Sequence, residues 1–140
     1  MDRPATGGLE QAVSEVLETM FFLSVIREIP GRPAGEAVFV NLRFDGQRPG
    51  SFSVAVSRDA AIEMSGRFPG GEEEPEGANP EEVVCELANV LCGSFLSLRE
   101  RGAHWEIGEP ACVAEFPEEE ARRSFELEIG WLEAGLTIRE

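Results

Sequence analysis

The sequence predicts one domain of the α+β class, an antiparallel β-sheet with two long helices packed on one face. Its 140 residues suit a single domain spanning 1–140, which can bury a core without disulfides or metal ions. Apolar residues recur with a helical period in some stretches and alternate with polar residues in others. These stretches do not follow the strand, helix, strand order of a parallel sheet, so we expect antiparallel pairing.

The N-terminal part predicts a helix followed by a β-hairpin. Apolar residues at three- and four-residue steps over 9–20 indicate an amphipathic helix. Over 36–56 the period changes to two, with "DGQRPG" as the turn between the strands. Ser57 is a candidate N-cap for a short helix over 58–67. We expect the following segment "PGGEEEPEGANP" to be a mobile surface loop, because it combines Gly, Pro and acidic residues.

The central helix has a well-marked start and end. Asn79 is a good N-cap, Pro80 suits the first helical position, and Glu82 at the third completes an arrangement like a capping box. Gly102 marks the end of the helix. Two or three short strands are predicted after it, separated by "PEEEARR" and "EAG".

Composition excludes several classes of partner. The net charge of −15 repels nucleic acid and anionic membranes. No apolar run approaches the roughly 18 residues of a membrane span. The three cysteines are an odd number, and no secretory segment is evident at the Met1 end, so we expect reduced thiols in a soluble, cytoplasmic protein.

The two faces of the central helix differ in character at about 100° per residue. One broad stripe is apolar and is expected to face the core, with Val83, Val84, Leu87, Leu91, Ser94, Phe95 and Leu98. The opposite stripe carries Glu82, Glu86, Asn89, Gly93 and Glu100, bordered by Val90 on one side and by Cys85, Cys92 and Leu96 on the other. Acidic and amide groups framed by small or apolar side chains indicate a docking surface.

A glycine within this helix indicates that something approaches it closely. Alanine at Gly93 would favour the helix by roughly 1 kcal/mol. Alternatively, Gly93 permits another helix to pack, and Glu86 and Asn89 are ordinary surface residues, since E-x-x-N is a short pattern that often arises by chance. A cysteine-based phosphatase is disfavoured, because Cys85 lies inside a helix rather than in an anion-binding loop.

The run "EVVCELANVLCGSFLS", followed by "HWEIGEPACV", resembles the CheX branch of the CheC/CheX/FliY family of chemotaxis phosphatases. The resemblance extends over most of the chain, including "AVSEVLETMF" and "VFVNLRFDGQRPGSFSVAVS". Glu86 and Asn89 match the catalytic pair of the family motif, and Pro110 its downstream proline. Glu82 stands where the family usually has Asp or Ser, and Pro110 falls slightly nearer to Asn89 than in the fuller pattern.

The resemblance implies an enzyme of two-component signalling that removes the phosphoryl group from the aspartyl phosphate of a CheY-type response regulator. Asn89 is then expected to orient the attacking water and Glu86 to pair with the receiver's lysine. Partner docking is expected to involve Glu82, Val90, Gly93 and Leu96. No cofactor or metal site of its own is implied, because the receiver supplies Mg²⁺.

The resemblance also implies one active site per chain and a homodimer. Some family members hold a second site on the first helix, but Glu18 here stands where an Asn is needed. A carboxylate cannot donate a hydrogen bond and would repel a phosphoryl group. Short C-terminal strands with exposed edges are consistent with pairing between chains. The alternative function is a non-catalytic receiver-binding or dimerisation module with the same fold.

Overall fold

The predicted α+β class and antiparallel sheet are confirmed. The computed structural model describes residues 6–46, 48–67, 79–99, 102–117 and 120–138. Its helices are α1 (Leu9–Phe21), α2 (Arg58–Arg67) and α3 (Pro80–Arg99). Its strands are β1 (Val25–Ile29), β2 (Ala37–Asp45), β3 (Gly50–Ser57), β4 (Glu106–Ile107), β5 (Ala111–Val113), β6 (Ala121–Leu127) and β7 (Trp131–Ile138).

The sheet is built around the predicted hairpin of β2 and β3. These strands pair from Ala37 opposite Ser57 to Phe44 opposite Gly50. The strand order is β1-β6-β7-β3-β2-β4, and β5 pairs with β2 as well. One long strand, β2, therefore carries both short strands on its outer side, β4 near Phe44 and β5 near Val40.

The core lies between one face of the sheet and the helices. Alternate residues of β3, namely Phe52, Val54 and Val56, are fully buried there. The Phe52 ring stacks on that of Phe95 of α3 with centroids 6.1 Å apart. Burying each such large apolar side chain contributes about 1.5–3 kcal/mol. The long helices α1 and α3 contact each other over this face as predicted, and α2 joins the same core cluster.

The boundary between the last two strands differs from the prediction. The segment "EAG" lies inside β7, and the turn is formed by residues 128–130, where the Leu127 N–H donates to the Gly130 carbonyl at 2.9 Å. Gly130 has a φ of +78°, and a Cβ there would lie 2.0 Å from the Ser57 hydroxyl. Gly135 instead makes room inside the sheet, because a Cβ would lie 3.1 Å from a Glu120 carboxylate oxygen.

Sequence patterns did not reveal β1 or β4. The three central residues of β1, Ile26, Arg27 and Glu28, are all exposed, so the strand lacks alternation. Its pairing with β6 includes an ion pair between Arg27 and Glu126 at 2.6 Å. The C-terminal strands β6 and β7 each pair on both sides, so the prediction that they offer free edges was wrong. The sheet ends instead at β1 on one side and at β4 and β5 on the other.

Other predictions have mixed outcomes. The hydroxyl of Ser57, the candidate cap of α2, accepts the backbone N–H of Trp131 at 3.1 Å and so ties the start of α2 to β7. Most of the predicted loop "PGGEEEPEGANP" lies outside the described residues. Within the described ranges, no helix combines the length and apolar character needed to cross a membrane.

Glu120 is buried on the sheet face opposite the helices, where it is 7% exposed. One of its carboxylate oxygens accepts hydrogen bonds from the hydroxyls of Ser51 and Ser53 at 3.1 and 2.9 Å. The other oxygen has no hydrogen-bond partner among the described residues. Burial raises the pKa of Glu120, although the two serine hydroxyls oppose the shift. Keeping this carboxylate ionised at neutral pH therefore costs stability.

Glu120→Gln is expected to raise the Tm near pH 7, because the amide oxygen still accepts from both serines and no buried charge is needed. A folded-state pKa above the unfolded one means that the stability contributed by Glu120 falls as pH rises from the ordinary glutamate value through the raised value. The Tm difference should therefore shrink as the pH falls below the ordinary glutamate value of about 4.3, where the carboxyl becomes neutral in both states. Thermal melts by circular dichroism across this pH range measure the Tm of both proteins. A Tm difference that does not depend on pH would contradict the prediction.

Candidate active site

The start of α3 is fixed by the predicted cap and by an ion pair. The Asn79 side-chain oxygen accepts the backbone N–H of Glu81 at 2.7 Å. The Glu81 carboxylate in turn accepts a hydrogen bond from Arg58, the first residue of α2, at 3.0 Å. The pKa of Glu81 is lowered, first by its own backbone N–H and then by Arg58. These contacts set the register in which α3 presents its side chains.

The helix buries one face and exposes the other, as its period predicts. Its fully or almost fully buried residues are Val83, Val84, Leu87, Ala88, Leu91, Cys92, Phe95 and Leu96. On the opposite side, Glu82 and Glu86 are exposed and Asn89 is half-buried. Val90, next to Asn89, is 37% exposed. Because residues three and four apart are neighbours on a helix, these side chains form one continuous strip.

Glu86 and Asn89 lie at a cleft between α3 and the segment that joins β4 to β5. The cleft has a volume of about 380 Å³. Its lining, which we call the α3 cleft, consists of Glu81, Glu82, Cys85, Glu86, Asn89, Pro110 and Cys112. Side chains one helical turn apart have Cβ atoms about 5–6 Å from each other, so one bound group can contact both Glu86 and Asn89.

The far wall of the cleft consists of Pro110 and Cys112, and their place beside α3 was not predicted from the sequence. Pro110 was indicated only by the family motif, whereas Cys112 lies in one of the short strands predicted before "PEEEARR". Their position depends on the pairing of β5 with the middle of β2, where Cys112 lies opposite Val40. The wall is therefore a product of long-range strand pairing rather than of local sequence.

Two predicted docking residues occupy other environments than expected. Leu96 is 1% exposed and belongs to the core cluster, so it cannot contact a docked partner, and that prediction is corrected. Gly93 is half-buried beneath β4, and a Cβ there would lie 3.5 Å from the terminal methyl group of Ile107. That is an ordinary van der Waals distance. A strand rather than a helix thus packs on this part of α3, and Gly93 is not required by close packing within the chain.

The α3 cleft is acidic. Three of its lining residues are glutamates, and of these Glu81 is paired with Arg58. Among the described residues that line it, none is basic. Such a cleft attracts a cationic group and repels a free phosphoryl group. A phosphorylated ligand would therefore need to bring its own positive charge, such as a lysine or a metal ion.

The thiols near the cleft are poor nucleophiles at neutral pH. The pKa of Cys85 is raised to about 11, chiefly by burial and then by the neighbouring Cys112 and the carboxylates of Glu82 and Glu81. Burial raises the pKa of Cys92 to about 12. Thiolate catalysis is therefore disfavoured at both. The described residues contain no group of three or more His, Cys, Asp or Glu placed to hold a metal ion.

The first helix presents a different surface. Glu15 and Glu18 are both exposed on α1. The side-chain amide of Gln11 donates to the Glu15 carboxylate at 3.1 Å, an ordinary contact between residues four apart on a helix. At Glu15 and Glu18, the positions that correspond to a second site in some family members, α1 thus presents two carboxylates and no side-chain amide.

Comparison with known families assigns the chain to a class of signalling proteins. The family model described as "Chemotaxis phosphatase CheX" matches residues 38–124, which is more than half of the chain and includes the hairpin, α2, α3 and the far wall of the cleft. The chain belongs to the CheX family. A search of curated proteins finds no significant match.

Solved structures of CheX proteins share the fold over almost the whole chain. The CheX of Vibrio vulnificus aligns with a TM-score of 0.75 at 21% identity, covering 98% of this chain and 97% of that one. The CheX of Desulfovibrio desulfuricans aligns with a TM-score of 0.71 at 18% identity, covering 96% and 98%. The third, from Borrelia burgdorferi, is a CheX-CheY-BeF3-Mg complex, with a TM-score of 0.67, 22% identity and coverage of 96% and 97%.

Gly93→Ala is expected to stabilise the protein by about 0.5–1 kcal/mol, because alanine is the better helix former and its methyl group meets Ile107 at an ordinary distance. Urea unfolding followed by circular dichroism measures the change. Gly66→Ala in α2, where a Cβ would meet nothing within 4 Å, is a matched control for the propensity effect alone. If Gly93→Ala destabilises the protein and Gly66→Ala does not, Ile107 does not tolerate contact with the added methyl group.

Proposed function

We propose that this protein dephosphorylates the aspartyl phosphate of a CheY-type response regulator. Asn89 orients the attacking water, and Glu86 pairs with the active-site lysine of the receiver. The observation that carries the proposal is the exposed Glu86 one turn from the half-buried Asn89, both facing the α3 cleft of a CheX-family chain. A single well-anchored helix thus presents both groups.

The reaction requires few catalytic groups from the phosphatase. Hydrolysis of an acyl phosphate is favourable, so catalysis consists mainly of placing a water in line with the leaving oxygen and neutralising charge. An amide suits the first task, because its NH₂ group donates and its oxygen accepts hydrogen bonds. Asn89 is partly buried, which restricts its rotamers and so helps it to hold the water.

The charge of the cleft suits a partner that supplies the cations. Glu86 is exposed and offers two acceptor oxygens to a lysine ammonium, an interaction that fixes the helix in register on the receiver. The receiver also brings the Mg²⁺ that neutralises the phosphoryl group, so no metal site is needed on this chain. Glu82 lies exposed at the rim, where a carboxylate adds attraction for a cationic surface, and Val90 adds apolar contact area.

The partner class is supported by one relative. The Borrelia burgdorferi structure contains CheX together with CheY, BeF3 and Mg. Because this chain shares that fold over 96% of its length, a receiver of the same kind is the partner we assign to the α3 cleft. The same function makes it a cytoplasmic protein of two-component signalling.

The principal test is the decay rate of a phosphorylated CheY-type receiver from the same organism. Wild-type protein should accelerate the decay, and Asn89→Ala should reduce the acceleration by about 100-fold, the effect of losing a positioned reactant. Binding to the receiver loaded with beryllofluoride should remain close to that of wild type. Ser97→Ala, at an exposed position of the same helix, is the control for helix presentation.

Glu86→Gln is expected to weaken binding of the receiver rather than to displace the attacking water. Loss of a charge-assisted hydrogen bond should weaken the Kd for the beryllofluoride-loaded receiver by about 10-fold or more. Glu18→Gln, an exposed glutamate on α1, is the matched control for the change in net charge. Binding without any acceleration by wild-type protein would favour the alternative of a non-catalytic receiver-binding module, and failure to bind would exclude both functions.

We also propose a homodimer, as the family resemblance implies. The sheet edges at β1 and at β4 and β5 are the candidates for strand pairing between chains. Multi-angle light scattering should give about twice the 15.3 kDa chain mass across a concentration series. A constant monomer mass at the highest concentrations would contradict this proposal without affecting the catalytic one.

A further inference from the structure

Two thiols from different elements meet in the α3 cleft. Cys85 lies on α3, directly before Glu86 and one turn before Asn89. Cys112 lies at the centre of β5, and α3 and β5 are in contact. Both side chains line the same cleft, and the neighbouring Cys112 thiol adds to burial in raising the pKa of Cys85. Neither cysteine is held in a disulfide.

We propose that Cys85 and Cys112 are an oxidation-sensitive dithiol, which a hydroperoxide converts into a disulfide that closes the α3 cleft. The effect on activity rests on the proposed function, whereas the disulfide itself does not. Disulfides in reducing compartments are usually transient and redox-sensing, which suits a pair that is reduced at rest.

The two thiols differ in exposure and therefore in the order in which they react. Cys112 is exposed, so a small oxidant reaches it first, whereas Cys85 is half-buried beside it. The raised pKa of Cys85 keeps it as a thiol at neutral pH, so the first reaction with the oxidant falls to Cys112. Cys92 is fully buried in the core and should stay unmodified under the same treatment, which makes it an internal reference.

The reaction balances with one hydroperoxide per disulfide. The Cys112 thiolate attacks the distal peroxide oxygen, the O–O bond breaks, and water or an alcohol leaves, which gives a sulfenic acid. The sulfur of Cys85 then attacks the sulfur of Cys112 and forms the S–S bond. The S–O bond breaks, and the departing hydroxide leaves as water with the thiol proton of Cys85. Each sulfur loses one electron and the peroxide gains both.

The bond would alter the cleft directly. A disulfide requires Cα atoms about 4.4–6.8 Å apart, so the wall formed by β5 and Pro110 is held against α3. The two sulfur atoms then lie next to Glu86, in space that a receiver would enter. Oxidation should therefore reduce receiver binding, and reduction should restore it.

Peptide mapping tests the bond without any receiver. Protein treated with hydrogen peroxide is alkylated and cleaved at glutamate; because Glu86 stands between Cys85 and Cys92, their peptides separate. The expected product is a Cys85–Cys112 linked pair within one chain, with Cys92 fully alkylated after denaturation. Cys85→Ser and Cys112→Ser should each abolish the linked peptide, whereas Cys92→Ala should retain it.

The functional arm compares oxidised and reduced samples of the same variant. Affinity for the beryllofluoride-loaded receiver should fall by at least 10-fold on oxidation of wild-type protein and return with dithiothreitol. In Cys112→Ser, the ratio of the two affinities should be close to one. If reduced protein binds but does not speed receiver decay, the proposed catalysis fails and the binding ratio still tests the switch.

Several results would overturn the proposal. A Cys112–Cys112 link between chains, or overoxidation of Cys112 with Cys85 still alkylatable, would show that the two thiols do not react with each other. A Cys85–Cys112 disulfide that leaves receiver affinity unchanged would show that the bond does not close the cleft.

Discussion

The burial of one face of α3 against β2 and β3 is the constraint on which the rest of the structure depends. Large apolar side chains such as Leu87, Leu91 and Phe95 leave the helix no other orientation at comparable free energy. Glu86 consequently lies exposed and Asn89 half-buried on the same side of the helix, at the α3 cleft. The cap at Asn79 and the ion pair of Glu81 with Arg58 then fix the axial position.

Much of this arrangement could be predicted from sequence because it is local. The period of α3 identified Glu86 and Asn89 as outward-facing, and alternation over β2 and β3 identified the hairpin. What failed depends on distant parts of the chain. Gly135 is a residue typical of turns, but it lies inside β7, where a Cβ would meet the side chains of Arg122 and Glu120 at 3.0 and 3.1 Å. Leu96 borders the exposed face by angle, yet it is 1% exposed and belongs to the core cluster.

In the proposed reaction, the acidic α3 cleft leaves the neutralisation of the phosphoryl group to the receiver. The carboxylates of the cleft repel small free phosphate esters and attract a site rich in cations. Burial, the neighbouring Cys112 and then the same carboxylates raise the pKa of Cys85, so its sulfur remains a thiol at neutral pH. In the proposed reaction, specificity arises from the requirement that positive charge arrive with the substrate, while Asn89 contributes orientation and no charge.

The pairing of both short outer strands with β2 has an evolutionary consequence. The α3 side of the cleft belongs to the core, where most substitutions change the folding free energy. The opposite side is joined to β2 through the pairing of the three residues of β5. Substitutions at Glu109, which is exposed between β4 and β5, can therefore alter the surface beside the cleft at little cost in folding free energy, whereas Gly108 is held by a hydrogen bond of 2.7 Å from its N–H to the Arg43 carbonyl. Among related chains, variation is therefore expected at the exposed position rather than at the glycine.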